Sequence, residues 1–326
     1  MRKGNRHLRT LIQLVLMCAA ILLLWQTPKV FGKFAVYLLS RILFMGLMAM
    51  SVNLLMGFGG LTSLAQAGFA GIAGYAFAIC RATYKMDYFV SVLIAIGIVL
   101  VIAVLFGAFS AKTSGTTFMM MTLAFANLVH LCSLQWVDLT RGFNGIIGVK
   151  GPKIMGVSYS STRMTIYVIA VVVAVSYFLL KRLTKSPFGM AIQGMRDNSI
   201  KMNSLGFNVR VLRVVLVAIS SLFAGLAGIL LVNFYATMGP DNVTTNYSIM
   251  CLLMCVIGGS AYLEGGIIGA AVYILAINFI SQYTKYDDAV IGVLFILSIF
   301  IIPNGIAGLP VFHKRFWRKR LNICKQ

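Results

Sequence analysis

The sequence predicts an all-α fold, a polytopic transmembrane helix bundle of about ten spans, or eight to ten according to how two short runs are divided. Three observations carry that reading. Hydrophobic residues fill 60% of the 326 positions and charged residues only 11%, against about a quarter charged in an average soluble domain. Water cannot accommodate so much apolar surface, whereas lipid tails solvate it directly. The apolar residues gather into runs of roughly one bilayer thickness. Finally, the 28 Lys and Arg residues, which face only seven Asp and Glu, concentrate in alternate segments between those runs.

Taken in order, Arg2, Lys3, Arg6 and Arg9 precede an apolar run over 11–25. That arrangement is also seen in secretory signals, but the run ends in Trp25-Gln26-Thr27-Pro28-Lys29 with no small-residue cleavage site, so it predicts an uncleaved first span. The predicted spans are 11–27, 34–56, 65–80, 88–109, 116–137, 164–181, 211–235, 247–262, 266–282 and 289–303. The short Gly/Ala-rich run over 65–80 and the division between 247–262 and 266–282 set the lower bound on the count. With the N-terminus inside, cytoplasmic segments hold four basic residues before the first span, Lys112, seven from Lys181 to Arg213 and six after His313. That is twice the number outside, which predicts both termini in the cytoplasm. The organisation expected is a single transmembrane domain over 1–310, with a cytoplasmic loop over 182–210, then a basic tail over 311–326. The tail's Lys314, Arg315, Phe316, Trp317 and Arg318 suit the anionic inner leaflet.

Several function classes are disfavoured. The positive charge is a membrane-topology signal, with no basic-aromatic nucleic-acid module and no zinc spacing. Cys18, Cys80, Cys132, Cys251, Cys255 and Cys324 form no metal or disulfide pattern. No G-x-x-x-x-G-K-[ST] phosphate loop and no catalytic pairing is present, so the chain is expected to be no enzyme and to hold no cofactor of its own. Asp87, Asp138, Asp241, Asp287 and Asp288 fall at the outer side, Asp197 and Glu264 at the inner side. Ion-coupled carriers commonly place a carboxylate at mid-membrane. Its lack points to an energy source in another subunit, an ion-coupled secondary transporter being the weaker alternative.

The longest cytoplasmic interruption carries the most information. Ser186 suits a helix N-cap and Pro187 the first helical position. Phe188, Ala191, Ile192 and Met195 recur at helical spacing, Asn198 can cap a second short helix, and Gly206 can end it in a left-handed conformation. The prediction is two short amphipathic helices at the inner surface, resting on headgroups or docking into a partner. Polar residues within spans, Asn53, Gln66, Thr122, Asn127, His130 and Asn278, are candidates to line a pathway, although interhelical hydrogen bonding explains each equally well. Arg41 either snorkels to headgroups or marks a site. Gly57, Gly59 and Gly60, and again Gly258, Gly259, Gly265 and Gly266, form two similar turns, each leading into a small-residue helix.

Five blocks, in order over about residues 50–310, resemble a known family. They are Asn53-Leu54-Leu55-Met56-Gly57-Phe58-Gly59-Gly60-Leu61-Thr62, then Arg141-Gly142-Phe143-Asn144-Gly145, and Ser186-Pro187-Phe188-Gly189-Met190-Ala191 with Met195-Arg196-Asp197-Asn198 and Leu205-Gly206-Phe207. The last two are Ile257-Gly258-Gly259-Ser260-Ala261 and Pro303-Asn304-Gly305-Ile306-Ala307-Gly308-Leu309. Together they resemble the branched-chain amino acid permeases of ABC importers, the LivM-like subfamily. The resemblance implies a type II-like importer fold in a bacterial cell membrane. It also implies a partner permease of the same or a sister type, two ATPase subunits carrying the ATP and Mg, and an extracytoplasmic solute-binding protein. The segment bearing Ser186, Pro187, Phe188, Gly189, Ile192, Met195, Arg196, Asp197, Asn198, Leu205 and Gly206 would be its ATPase-coupling loop. A hydrophobic amino acid would be the substrate, with urea or a short amide as the alternative. Tyr262-Leu263-Glu264 and Arg141 depart from the family's usual pattern; Glu264 is expected to pair with an Arg or to face water.

Overall fold

The computed structural model describes residues 33–149, 153–154, 157–158, 162–283, 292–293 and 305–308. The first predicted span and the basic tail lie outside them, as does nearly all of the last predicted span. The described helices are α1 (Lys33–Asn53), α2 (Gln66–Ala82), α3 (Tyr88–Ser110), α4 (Gly115–Gln135), the single turn α5 (Val137–Thr140), α6 (Thr162–Thr184), α7 (Pro187–Asp197), α8 (Ser199–Ser204), α9 (Val209–Tyr235), α10 (Thr245–Gly258) and α11 (Gly265–Ile280). A π-helical turn, Leu54–Phe58, extends α1. Two small antiparallel pairs complete the fold. β1 (Ile146–Ile147) pairs with β4 (Thr237–Met238), and β2 (Lys153–Ile154) with β3 (Val157–Ser158).

Five of the described helical segments are long and apolar enough to cross a bilayer: 34–58, 88–110, 115–135, 165–184 and 209–235. Burial sorts them into layers. The α1 and α9 segments are 61% and 72% buried, whereas α3 and α4 are each 22% buried. The core is therefore α1, α2 and α9 with α10 and α11 packed against them, and α3, α4 and α6 lie outside. Hydropathy agrees: α3, at 3.2 the most apolar of the five, presents Phe89, Leu93, Val101, Leu105 and Phe109 outward. An outward face of that kind is what lipid requires.

The short runs behave differently from simple spans. The 65–80 run is helix α2, which begins inside the protein rather than at a surface. Leu64 N–H, just before α2, donates to Thr122 Oγ1, and Ala67 N–H, in its first turn, to Ser248 Oγ, so buried donors at this junction are met by side chains of other helices. Irregular backbone survives at membrane depth only when protein satisfies it in this way. The 247–262 run is shorter than predicted, because α10 stops at Gly258 and Gly259 turns the chain with φ +105°. From there α10 and α11 run antiparallel at backbone contact; a Cβ at Gly258 would strike the Gly265 carbonyl, and one at Gly269 the Met254 carbonyl. Small residues permit that approach where the hydrophobic effect no longer drives helices together.

Candidate functional site

At one end of the bundle, four segments meet: the π-helical turn with its glycines, the α3–α4 turn, the α6–α9 loop and the α10–α11 turn. The loop is built as its sequence predicts. Ser186 Oγ accepts from Gly189 N–H at 3.3 Å and donates to the Leu183 carbonyl at 2.6 Å, so the cap also ties α7 to the end of α6. Pro187 occupies the first turn of α7, where a missing N–H costs nothing. Gly189 lies so close to the Thr184 and Leu183 carbonyls that no Cβ fits. Ile192 and Met195 are buried, with Phe188 and Ala191 packed beside them. Asn198 Oδ1 accepts from Lys201 N–H at 2.9 Å and starts α8. Leu205 is exposed, and Gly206 ends the pair of helices at φ +87°.

Arg196 joins this loop to the rest of the site. Its Nη1 donates to the Gly57 carbonyl at 2.6 Å, and its stem covers Gly60, whose φ is +68°. Its other side is held by Asp197 at 3.1 Å in an exposed ion pair. Gly57 in turn abuts the Ser260 carbonyl, and Asn53 Nδ2 donates to the Tyr262 carbonyl at 2.6 Å. The two glycine-rich turns, some two hundred residues apart, are thus in direct contact.

The α10–α11 turn is also fastened to α6. Lys181 Nζ lies 2.8 Å from Glu264 Oε1, and the Tyr177 hydroxyl donates to the same oxygen at 2.6 Å. Burial alone pushes the Glu264 carboxyl up, but the hydrogen bonds from Lys181 and Tyr177 outweigh it and hold the group below its ordinary value. Glu264 therefore does not pair with an arginine or stand free in water, as its sequence context suggested. The lysine at the last turn of α6 reaches it first. A closed circuit of contacts results, from α6 through α7 and Arg196 to the π-helical turn, across to Tyr262 and Glu264, and back to Lys181.

None of the pathway candidates lines the groove beside Arg213 or the cleft beside Arg81 and Arg141. Gln66 is fully buried, accepting from Ser51 Oγ at 3.3 Å and donating to Ser220 Oγ at 3.0 Å, while Ser220 donates to the Ser51 carbonyl. Thr122 receives Leu64 N–H. Asn53 donates to Tyr262 while its buried Oδ1 has no partner among the described residues, and the Asn278 amide donates to its own helix at Ile274. Asn127 differs: it is exposed, on the outward face of α4, and accepts from Thr245 Oγ1 of α10 at 2.7 Å. His130 lies one turn further along α4 with Nδ1 buried and unpartnered among the described residues. Arg41 sits within α1, half-buried. Sequence reasoning did not single out Ser51, Ser220, Tyr177 or Lys181. Tyr177 and Lys181 are four apart on α6, and seven acidic residues among 28 basic ones each invite a partner, but which cation reaches Glu264 depends on a distant turn.

The sequence profile of a family described as branched-chain amino acid transport system / permease component matches residues 34–299. The chain belongs to this family. The permease is a multi-pass membrane transport subunit rather than an enzyme. It is 24% identical over 320 residues to the high-affinity branched-chain amino acid transport system permease protein LivM of Escherichia coli, covering 91% of this chain and 75% of the relative. It is 25% identical over 191 residues to the corresponding LivH protein of Salmonella typhimurium, covering 55% of this chain and 61% of that one. The ribose import permease protein RbsC of Haemophilus influenzae is 24% identical over 207 residues, 60% of this chain and 62% of its own. No solved structure matches the permease.

Proposed function

We propose that this chain is the translocating subunit of an ABC importer, moving a branched-chain or other hydrophobic amino acid delivered by an extracytoplasmic binding protein and driven by separate ATPase subunits. Its membrane domain extends to about residue 310, with the loop over 182–210 and both termini in the cytoplasm. The observation that carries the reading is Arg196. A capped helix pair projects at the basic end of the bundle, and among the described residues its long-range hydrogen bond to the core runs from Arg196 to the π-helical turn. A partner that pushes on α7 therefore moves the turns that close the core helices.

A second permease subunit packs against α4 and α10. Both α3 and α4 are mostly unburied, yet α4 has a mean hydropathy of only 1.5 against 3.2 for α3, and its outward face bears Asn127 hydrogen-bonded to Thr245. Lipid gives such groups nothing to bond, so protein or a lined pathway covers them. Similarity to both LivM and LivH favours a sister chain in that place.

The test is co-purification of the tagged chain with the products of its neighbouring genes in mild detergent, followed by uptake in membrane vesicles. The expected outcome is a retained ATPase that is lost when Arg196 and Asp197 are both changed to Ala, and uptake of leucine in preference to urea or ribose. An absent ATPase in every gentle detergent, with uptake that tracks the ion gradient, would overturn the reading in favour of a secondary carrier.

A further inference from the structure

A groove of about 670 Å³ lies between the α3–α4 turn and the α8–α9 junction, within the size range of small-ligand sites. Three cations line it, Lys112, Arg210 and Arg213, and no carboxylate does. Arg213 is fixed in place: Nη1 donates to the Ala111 and Thr113 carbonyls at 3.1 and 2.9 Å, and its buried Nε has no partner among the described residues. Lys112 and Arg210 are exposed and make no ion pair among the described residues. Ser199 and Asn203 add polar side chains on the α8 side.

The groove's position identifies its occupant. The α3–α4 turn joins two bilayer-length helices, so the groove stands at the membrane surface whichever side that is. Ala111 and Lys112 of its wall directly follow α3, whose last turns expose Phe109 (74%) and Leu105 (66%), and Phe207 lines the groove itself. A ligand that fits both parts has a compact anion at one end and hydrocarbon at the other. We propose that this groove binds the phosphate-bearing headgroup of an anionic phospholipid such as phosphatidylglycerol, whose acyl chains lie along α3. Basic pockets between membrane helices hold anionic headgroups in this manner. The site is independent of the transported solute and does not rest on the proposed transport role.

The experiment compares the tagged wild-type chain with a Lys112→Ala/Arg210→Ala variant, purified from the same membranes in mild detergent. Retained phospholipid is measured by mass spectrometry, and thermal midpoints are recorded after addition of phosphatidylglycerol, phosphatidylcholine or inorganic phosphate. Wild type is expected to retain phosphatidylglycerol above its share of the membrane and to be stabilised by it alone. In the variant, affinity for anionic lipid falls on the order of 30-fold for two lost cations. Both side chains are exposed, so folding is expected to persist; gel filtration checks it, and Lys112→Gln alone serves if the double variant aggregates. Equal retention by the two proteins would overturn the proposal. So would stabilisation by inorganic phosphate alone, which marks a small-anion site, or unchanged lipid with loss of a bound ATPase, which marks a protein contact.

Discussion

Gly57 sits where a methyl group would collide with the Ser260 carbonyl and the Asn53 side chain. Because the obstacle is backbone, it cannot swing aside. Gly57→Ala is expected to cost about 1–3 kcal/mol, as overpacking does, seen as a lowered thermal midpoint in detergent. Gly97 is a useful contrast, since it lies on α3 with open space around it. Gly97→Ala should be neutral, or stabilising by up to about 1 kcal/mol through helix propensity. Glu264 makes a pH prediction. Its carboxyl is held below the ordinary value of 4.5 by Lys181 and Tyr177, so the stabilisation it contributes is complete above that value and is lost as pH falls below it. Thermal midpoints recorded downward from neutral pH should show an acid-dependent step that Glu264→Gln removes. If the step survives that substitution, the linkage belongs to another group.

At the scale of elements, the α6–α7 corner unites a cap, a proline and a glycine that nothing else could replace. Ser186→Ala should cost about 1 kcal/mol and fray α7, measured as faster amide exchange over its first turn. Arg196→Ala should leave α7 folded, since Ile192 and Met195 hold it to the core, yet sharply reduce uptake by cutting the link to Gly57. Arg196→Lys should restore little, because one ammonium cannot bond the Gly57 carbonyl and keep the Asp197 pairing in the same geometry. How legible these elements were follows from the range of the forces involved. The ends of α7 and α8 were written in Ser186, Pro187, Asn198 and Gly206, all acting within a few residues. The long spans were legible because lipid imposes a length. By contrast, the early stop of α10, the interior start of α2 and the Lys181–Glu264 pair depend on contacts between segments far apart in sequence. Hydropathy alone counts the runs over 65–80 and 247–262 as ordinary spans, because nothing local reveals that their backbone donors or turns are met by another helix.

For the whole molecule, the end of the bundle that gathers Lys112, Lys181, Arg196, Arg210 and Arg213 should face the cytoplasm. In a cysteine-free background, Leu205→Cys should react with an impermeant maleimide only in broken cells or inverted vesicles, and Lys85→Cys in intact cells; the reverse pattern would invert the topology. The contacts that close the bundle also set a problem of timing. Asn53 of α1 waits for the Tyr262 carbonyl and Ser51 for Ser220, partners that leave the ribosome 209 and 169 residues later. At about 5–20 residues per second, the longer interval lasts on the order of 10–40 s. During that time α1 sits in the membrane as an apolar span whose Asn53 amide lacks its partner. A chain truncated after Tyr235, which leaves Asn53 without the Tyr262 carbonyl, is therefore expected to be cleared from the membrane faster than the full-length protein in a pulse-chase measurement.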